Sequence, residues 1–178
     1  MIKYFIFLVF ILLSNVVMSQ DKPDGGNTYL VYTKALKTGE LSQNEIMSVA
    51  RKTLLMRYRS DEAVIRFSDD TSLILDCNVV VTAFIGKTMM KDVYQYRLSV
   101  KINNDNTCEL IADEYRSSAG RTVSREVAAS AAEQAKTEKK RKQYSEINEM
   151  IYEYLELDYQ RSMAEMDLAL ARAIKAKI

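Results

Sequence analysis

Two thiols, one adjacent pair of carboxylates and one run of cations are the groups in this chain with chemistry to offer. The thiols are Cys77 and Cys108, the only cysteines among 178 residues, and there is no histidine. A nucleophilic cysteine needs its pKa lowered by nearby cations or a helix start. Cys77 sits instead in "TSLILDCNVVVTAFIGK" (71–87), where every odd-numbered position from Leu73 to Ile85 is apolar. That pattern puts its side chain on the aliphatic face of a strand, where burial raises a thiol pKa and cysteine acts as a small hydrophobe. Without histidine, Ser-His-Asp and Cys-His catalysis and His-based zinc sites are excluded, and two cysteines are too few for a thiolate metal centre. Five glycines, none in a phosphate-cradling pattern, exclude the P-loop and dinucleotide fingerprints. No catalytic, cofactor-binding or metal-ligating residue is assigned, and no cofactor is expected.

The carboxylate pair is Asp69-Asp70. It falls between two strand-like runs, where aspartate is favoured because its side chain bonds its own backbone. The pair reads as a turn. The cation run is "EKKRK" (138–142), with Glu126, Glu133 and Glu138 on the same segment. It reads as a solvated helix face.

The elements that position these groups follow from spacing. The first nineteen residues have the form of an export signal: Lys3, the apolar run "YFIFLVFILL", and Val17 and Ser19 placed for cleavage before Gln20. The chain is expected to be exported, to the periplasm or beyond, with no stable membrane insertion after cleavage. Losing residues 1–19 removes Lys3 and no acid, which leaves cations and acids balanced. A neutral chain argues against nucleic acid as a partner. "QDKPDGGN" (20–27) is a turn-rich, flexible lead-in. "TYLVYTKAL" (28–36) has strand character. In "SQNEIMSVARKTLLMRY" (42–58), Ser42 and Glu45 form a capping box ahead of apolar residues at helical spacing.

Four strand-like runs come next: 63–68, 72–85, 92–103 and 107–116. Their short polar connections, with "GKTMMK" read as a loop, imply antiparallel neighbours. Charges set one register. Pairing Asn103 with Thr107 puts Lys101 opposite Glu109 and Arg97 opposite Asp113, both favourable cross-strand pairs. The other face then joins Ile102 to Cys108, Val100 to Leu110 and Leu98 to Ala112. A six- or seven-residue loop sets Cys77 beside Val100 or Ile102. The two cysteines then flank one strand about 9.6 Å apart, beyond the roughly 7 Å between Cα atoms that a disulfide tolerates.

After Gly120 there is neither glycine nor proline. Residues 117–143 read as a charged, Ala-rich helical connector and 144–178 as a helix lying on the sheet. Its stripe is Tyr144, Ile147, Ile151, Leu155, Tyr159, Met163, Met166, Leu170 and Ile174. The mean step of about 3.75 residues suits one face laid on a globular body better than a coiled coil, which wants 3.5. Tyr152 and Tyr154 do not share one face of such a helix.

The order of these segments carries a resemblance. A leader ending in Ser-Gln, then "LSQNEI", "AVIRFSDD", "YQYRLSVKINND", "CELIADEY" and a helical tail rich in Tyr, Ile and Leu resemble a family of exported bacterial proteins, a domain of unknown function with a TBP-like fold. The likeness covers about Thr28 to Arg116; this chain lacks the Trp that members show near the end of the first helix. The resemblance implies an α+β, two-layer sandwich: a curved antiparallel sheet of about five strands over 28–116, helices on one face, and a long helical C-terminal tail. It brings no activity and no site residue.

One sheet face is then left open. Its candidate interaction residues are Ile74, Val80, Phe84, Val93, Arg97, Ile111 and Tyr115, an apolar patch among charges. The expectation is a non-enzymatic module acting by protein–protein contact or self-association through this face. The alternative is a carrier holding a small apolar ligand between sheet and C-terminal helix, lined by Val79, Val81, Leu98 and Met163.

Overall fold

The computed structural model describes residues 18–19, 22–24, 27–58, 63–85, 88–105, 107–120, 123 and 133–177. Most of the expected signal peptide, and residues 124–132 of the connector, lie outside the described residues.

The strands are β1 (Met18–Ser19), β2 (Lys22–Asp24), β3 (Asn27–Tyr29), β4 (Tyr32–Leu36), β5 (Ala63–Ser68), β6 (Ser72–Ile85), β7 (Thr88–Ile102) and β8 (Cys108–Ser117). The helices are α1 (Gln43–Arg57) and α2 (Glu138–Lys177). The main sheet runs in the order β1-β4-β8-β7-β6-β5, with every ladder antiparallel. Two-residue β1 aside, this is the expected five-stranded sheet, with both helices on one face. β2 and β3 form a separate small ladder, Lys22 opposite Tyr29, so the lead-in carries backbone pairing and the 28–36 run divides into two strands around Leu30 and Val31.

Each element follows from its residues. Ser42 Oγ accepts the Glu45 backbone N–H while the Glu45 carboxylate accepts the Ser42 N–H at 2.7 Å, so both orphan donors at the start of α1 are satisfied. Ile46, Met47, Ala50 and Leu54 turn inward. The alternation along β6 and β7 buries Leu73, Leu75, Cys77, Leu98, Val100 and Ile102 under the helices. Each such large side chain contributes about 1.5–3 kcal/mol when fully removed from water.

The β7/β8 register is the one the charges require: Arg97 opposite Asp113, Lys101 opposite Glu109, Ile102 opposite Cys108. The β6/β7 register differs. Ile85 pairs with Thr88, so "TMM" belongs to β7 and only Gly86 and Lys87 separate the paired ends. Cys77 therefore faces Tyr96, not Val100 or Ile102. The slip is an even number of residues, so every side chain keeps its face. Cys77 and Cys108 are both free and buried. Two strand spacings and six residues of β7 separate them, roughly 20 Å along the strand alone.

The second correction is local. The β7/β8 ladder shifts between Gln95 and Arg97, where Glu114 adopts φ 53°. One extra residue on β8 reverses the alternation beyond it. Tyr115, expected on the open face, turns into the core at 2% exposure.

The C-terminal helix begins at Glu138, six residues before the expected start at Tyr144. Thr137 accepts the N–H of Lys140 on its Oγ1 and that of Arg141 on its carbonyl, which starts the helix there. Lys, Arg and Gln then propagate it. Forty residues make a rod of about 60 Å, longer than the sheet beneath. Residues 138–146 are exposed apart from half-buried Gln143, and Tyr144 of the expected stripe is among the exposed. From Ile147 onward the stripe packs: Leu155, Tyr159, Met166 and Leu170 are at most 1% exposed. Tyr152 is buried and Tyr154 exposed.

Candidate interaction face

The face of the sheet away from the helices is built by the alternate residues of β5 to β8. Along β6 these are Ile74, Asp76, Asn78, Val80, Thr82 and Phe84; along β7, Met89, Lys91, Val93, Gln95, Arg97, Ser99 and Lys101; along β8, Glu109, Ile111 and Asp113. The face has two regions of different character.

The first region is charged. A depression of about 790 Å³ is lined by Arg66, Asp76, Arg97, Glu114 and Arg116 with Val64, Ile74, Asn78 and Gln95. Arg66 is ion-paired with Asp76. Arg97 reaches Glu114 at 2.7 Å, and Arg116 lies 4.0 Å from the same carboxylate. All these groups are well exposed, so each pair contributes little to stability. Their effect is a fixed, mixed-charge surface with three guanidinium groups against two carboxylates. Ile74 and Ile111 flank Ser99 in one row and are half-buried, with Ser99 buried between them.

The second region is apolar. The β5 ladder ends at Cys77 and the β8 ladder at Tyr94. From Asn78 to Val93 the β6–β7 hairpin therefore extends as a two-stranded arm, with no further ladder partner among the described residues. On its open side Val80 pairs with Val93 and Phe84 with Met89. They are 47%, 37%, 64% and 60% exposed. An isolated two-stranded ribbon is marginal in water, and two free edges with an apolar face are a template for another chain.

Of the residues expected on this face, Val80, Phe84 and Val93 form the arm, Ile74 and Ile111 the half-buried row, and Arg97 the charged region. Tyr115 belongs to the core. Sequence reasoning missed Met89, because "GKTMMK" read as a loop; the even spacing of Met89, Lys91 and Val93 was the available signal. It also missed exposed Val64 and Phe67 on edge strand β5.

Beneath the sheet lies a polar cluster that spacing does not reveal. Tyr58 Oη sits 2.6 Å from Tyr96 Oη and 2.5 Å from Ser162 Oγ. Tyr96 donates to Asp158 at 2.5 Å. Arg57 holds Asp158 at 2.6 Å and Glu165 at 2.9 Å, and lies over the Tyr58 ring. Tyr115 stacks on Tyr96 and meets Tyr32 edge-on; Tyr32 stacks on Tyr159, whose hydroxyl donates to the Leu110 carbonyl. Burial, followed by the Asp158 charge, pushes Tyr58 up to about 12. Burial pushes Tyr96 and Cys77 well above their ordinary ranges and Cys108 up to about 12. These groups hold α1, α2 and the sheet together in their protonated forms, which are the wrong forms for a base or a nucleophile.

Asp69 accepts the N–H groups of Thr71 and Ser72 on one oxygen and so closes its own turn. The 138–142 run is exposed on the first turns of α2, with Lys142 4.0 Å from Glu146. No helix among the described residues is long and apolar enough to cross a membrane.

No family model matches the chain, and no curated protein matches it. Among the solved structures that are similar are these two. One is a DUF4468 family protein from Bacteroides ovatus: 12% identity, TM-score 0.46, covering 80% of this chain and 92% of the other. The second is a TBP-like protein from Parabacteroides distasonis: 14% identity, TM-score 0.48, covering 80% of this chain and 96% of the other. Both are proteins of the kind that the sequence resemblance names, a domain of unknown function and a TBP-like fold. The α+β architecture itself stands on the ladders and helices described above.

Proposed function

We propose that this chain is an exported, non-enzymatic module that acts by protein–protein contact through the open sheet face. One observation carries the reading: the arm from Asn78 to Val93 presents Val80, Phe84, Met89 and Val93 to solvent with both edges free of ladder partners among the described residues. A monomer gains nothing from exposing two adjacent apolar pairs; a partner that covers them gains burial and main-chain hydrogen bonds together. The charged region beside the arm supplies a rim that selects orientation. Export rests on the leader at residues 1–19. The carrier reading finds no such support. The centre of the layer between sheet and α2 is filled by Tyr58, Tyr96, Tyr115 and Tyr159, with Val81 and Leu98 packed at 3% and 0% exposure; a depression of about 490 Å³ at its margin, lined by Arg57, Tyr58, Val79 and Asp158, is open to solvent and charged on one side.

The test is differential capture. The mature chain and its Val80→Asp/Phe84→Asp variant, tethered identically, are exposed to the envelope fraction of the source cell. Both sites are exposed, so the two proteins are expected to melt alike. The wild type is expected to retain a protein that the variant loses. Equal retention by both, or retention of nothing by either, overturns the reading.

A further inference from the structure

Helix α2 carries two apolar stripes, and only one meets the body. Tyr152, Leu155, Tyr159, Met166 and Leu170 are buried against the sheet and α1. Half a turn around the helix run Tyr154, Leu157, Arg161, Ala164, Leu168 and Ala171, all exposed. Tyr154, Leu157 and Leu168 are 44%, 48% and 52% exposed. The steps along this outer line alternate strictly between three and four residues. That is heptad spacing, which the buried line Tyr152, Leu155, Tyr159, Ser162 and Met166 shares, so α2 offers a helix-pairing seam on its outer side as well as its inner one.

We propose that this outer seam pairs with the same seam of a second copy, antiparallel, about a two-fold axis between residues 162 and 163. Side-chain size gives the first argument. In that register Tyr154 meets the partner's Ala171, Leu157 the partner's Leu168, and Arg161 the partner's Ala164, and each layer recurs across the axis. Large faces small in two layers, and leucine faces leucine in the third, which is how close packing is reached. A parallel, in-register pair would set Tyr154 on Tyr154, Arg161 on Arg161 and Ala164 on Ala164, leaving a like-charge clash and voids.

Charge gives the second argument. Between residues 144 and 159 the helix holds Glu146, Glu149, Glu153, Glu156 and Asp158 and no cation. Beyond them Arg161, Arg172 and Lys175 outnumber Glu165 and Asp167, Lys177 being held by Glu45 of its own chain at 2.7 Å. Antiparallel pairing lays the acidic half of one copy on the basic half of the other; parallel pairing lays like on like. Asp158 and Glu165 approach each other across the axis, and each is already held by Arg57 of its own chain, at 2.6 and 2.9 Å. The seam lies on the opposite side of the molecule from the open sheet face, so pairing leaves that face free.

The experiment reads the mass of the mature protein in solution against concentration. The mass is expected to rise from one chain toward two. Leu157→Glu with Leu168→Glu is expected to weaken association at least tenfold without moving the melting transition, because both side chains are already exposed. Val80→Asp/Phe84→Asp is expected to leave it unchanged, which separates this inference from the proposed function. Direction is read by oxidising mixed single-cysteine variants, the native thiols being buried. Leu157→Cys chains are expected to link to Leu168→Cys chains and not to one another. A mass that never exceeds one chain, a rise that the double Glu variant leaves intact, or linkage of Leu157→Cys to itself each overturns the proposal.

Discussion

At the scale of single residues, the cysteines and tyrosines show how burial decides chemistry. Cys77 was legible as filling from the apolar alternation around it, and the structure places it opposite Tyr96 in the core. The tyrosine cluster was not legible. Tyr58 ends one helix, Tyr96 lies mid-strand and Asp158 sits on a helix a hundred residues from Arg57, so only the fold brings them together. The cluster makes a pH prediction. Tyr58 is held near 12 in the folded chain against 10 for an ordinary tyrosine. A raised pKa stabilises the fold fully below pH 10, and that contribution is lost as pH climbs toward 12. The shift corresponds to on the order of 2–3 kcal/mol. Denaturant titrations at pH 8, 10, 11 and 12 are expected to show a decline that is shallower in Tyr58→Phe. At neutral pH that variant is expected to be less stable by about 1–3 kcal/mol, since Tyr96 and Ser162 lose a partner. An unchanged alkaline slope in the variant would refute the assignment.

At the scale of elements, the sheet shows what a sequence pattern specifies and where it stops. Opposite charges fixed β7 against β8, because one register alone sets Lys101 on Glu109 and Arg97 on Asp113. No equivalent pair constrained the end of β6 against the start of β7, so the length of the hairpin was open and Met89 was lost to a supposed loop. The bulge at Glu114 was invisible for another reason. Left-handed backbone is the territory of glycine, and a glutamate there sends no signal. Its consequence is large: one inserted residue carries Tyr115 from solvent into the aromatic core. Glu114→Gly is therefore expected to be neutral or stabilising by up to about 1 kcal/mol, as relief of the φ 53° backbone offsets the exposed ion pair to Arg97. Deleting Glu114 removes the extra residue and leaves a regular ladder in which Tyr115 faces Tyr96 and stays inward, so it too is expected to be mild, at most about 1–2 kcal/mol. Thermal melts of the two variants decide the matter. A large loss in the deletion variant would mean that Glu114 is not the extra residue of the ladder.

At the scale of the whole molecule, order is uneven, and the unevenness follows from which ladders are shared. The centre of β7 is bonded on both sides, by β6 and β8, and lies under α1 and α2; its residues Leu98 and Val100 are fully buried. Toward the hairpin, β8 stops at Tyr94 and β5 at Cys77, so beyond Val79 and Val81, which pack on the core, the arm has no ladder but its own among the described residues. At the other extreme of the fold, the first two turns of α2 run past the sheet with exposed side chains. Local opening is cheapest where few apolar contacts are lost. Amide exchange is therefore expected to fall into three classes: slowest in 96–102 and 155–170, faster by at least about a hundredfold in 79–85 and 88–93, and fastest in 138–146. The arm is where the proposed function and the energetics meet. A partner that seats on Val80, Phe84, Met89 and Val93 supplies the missing neighbour, so its addition is expected to slow exchange in 79–93 and leave 138–146 as it was. Association through the outer seam of α2 would instead slow 154–171. If the arm exchanged as slowly as the strand centre in the isolated chain, it would already have its neighbour, and the case for a waiting surface would be gone.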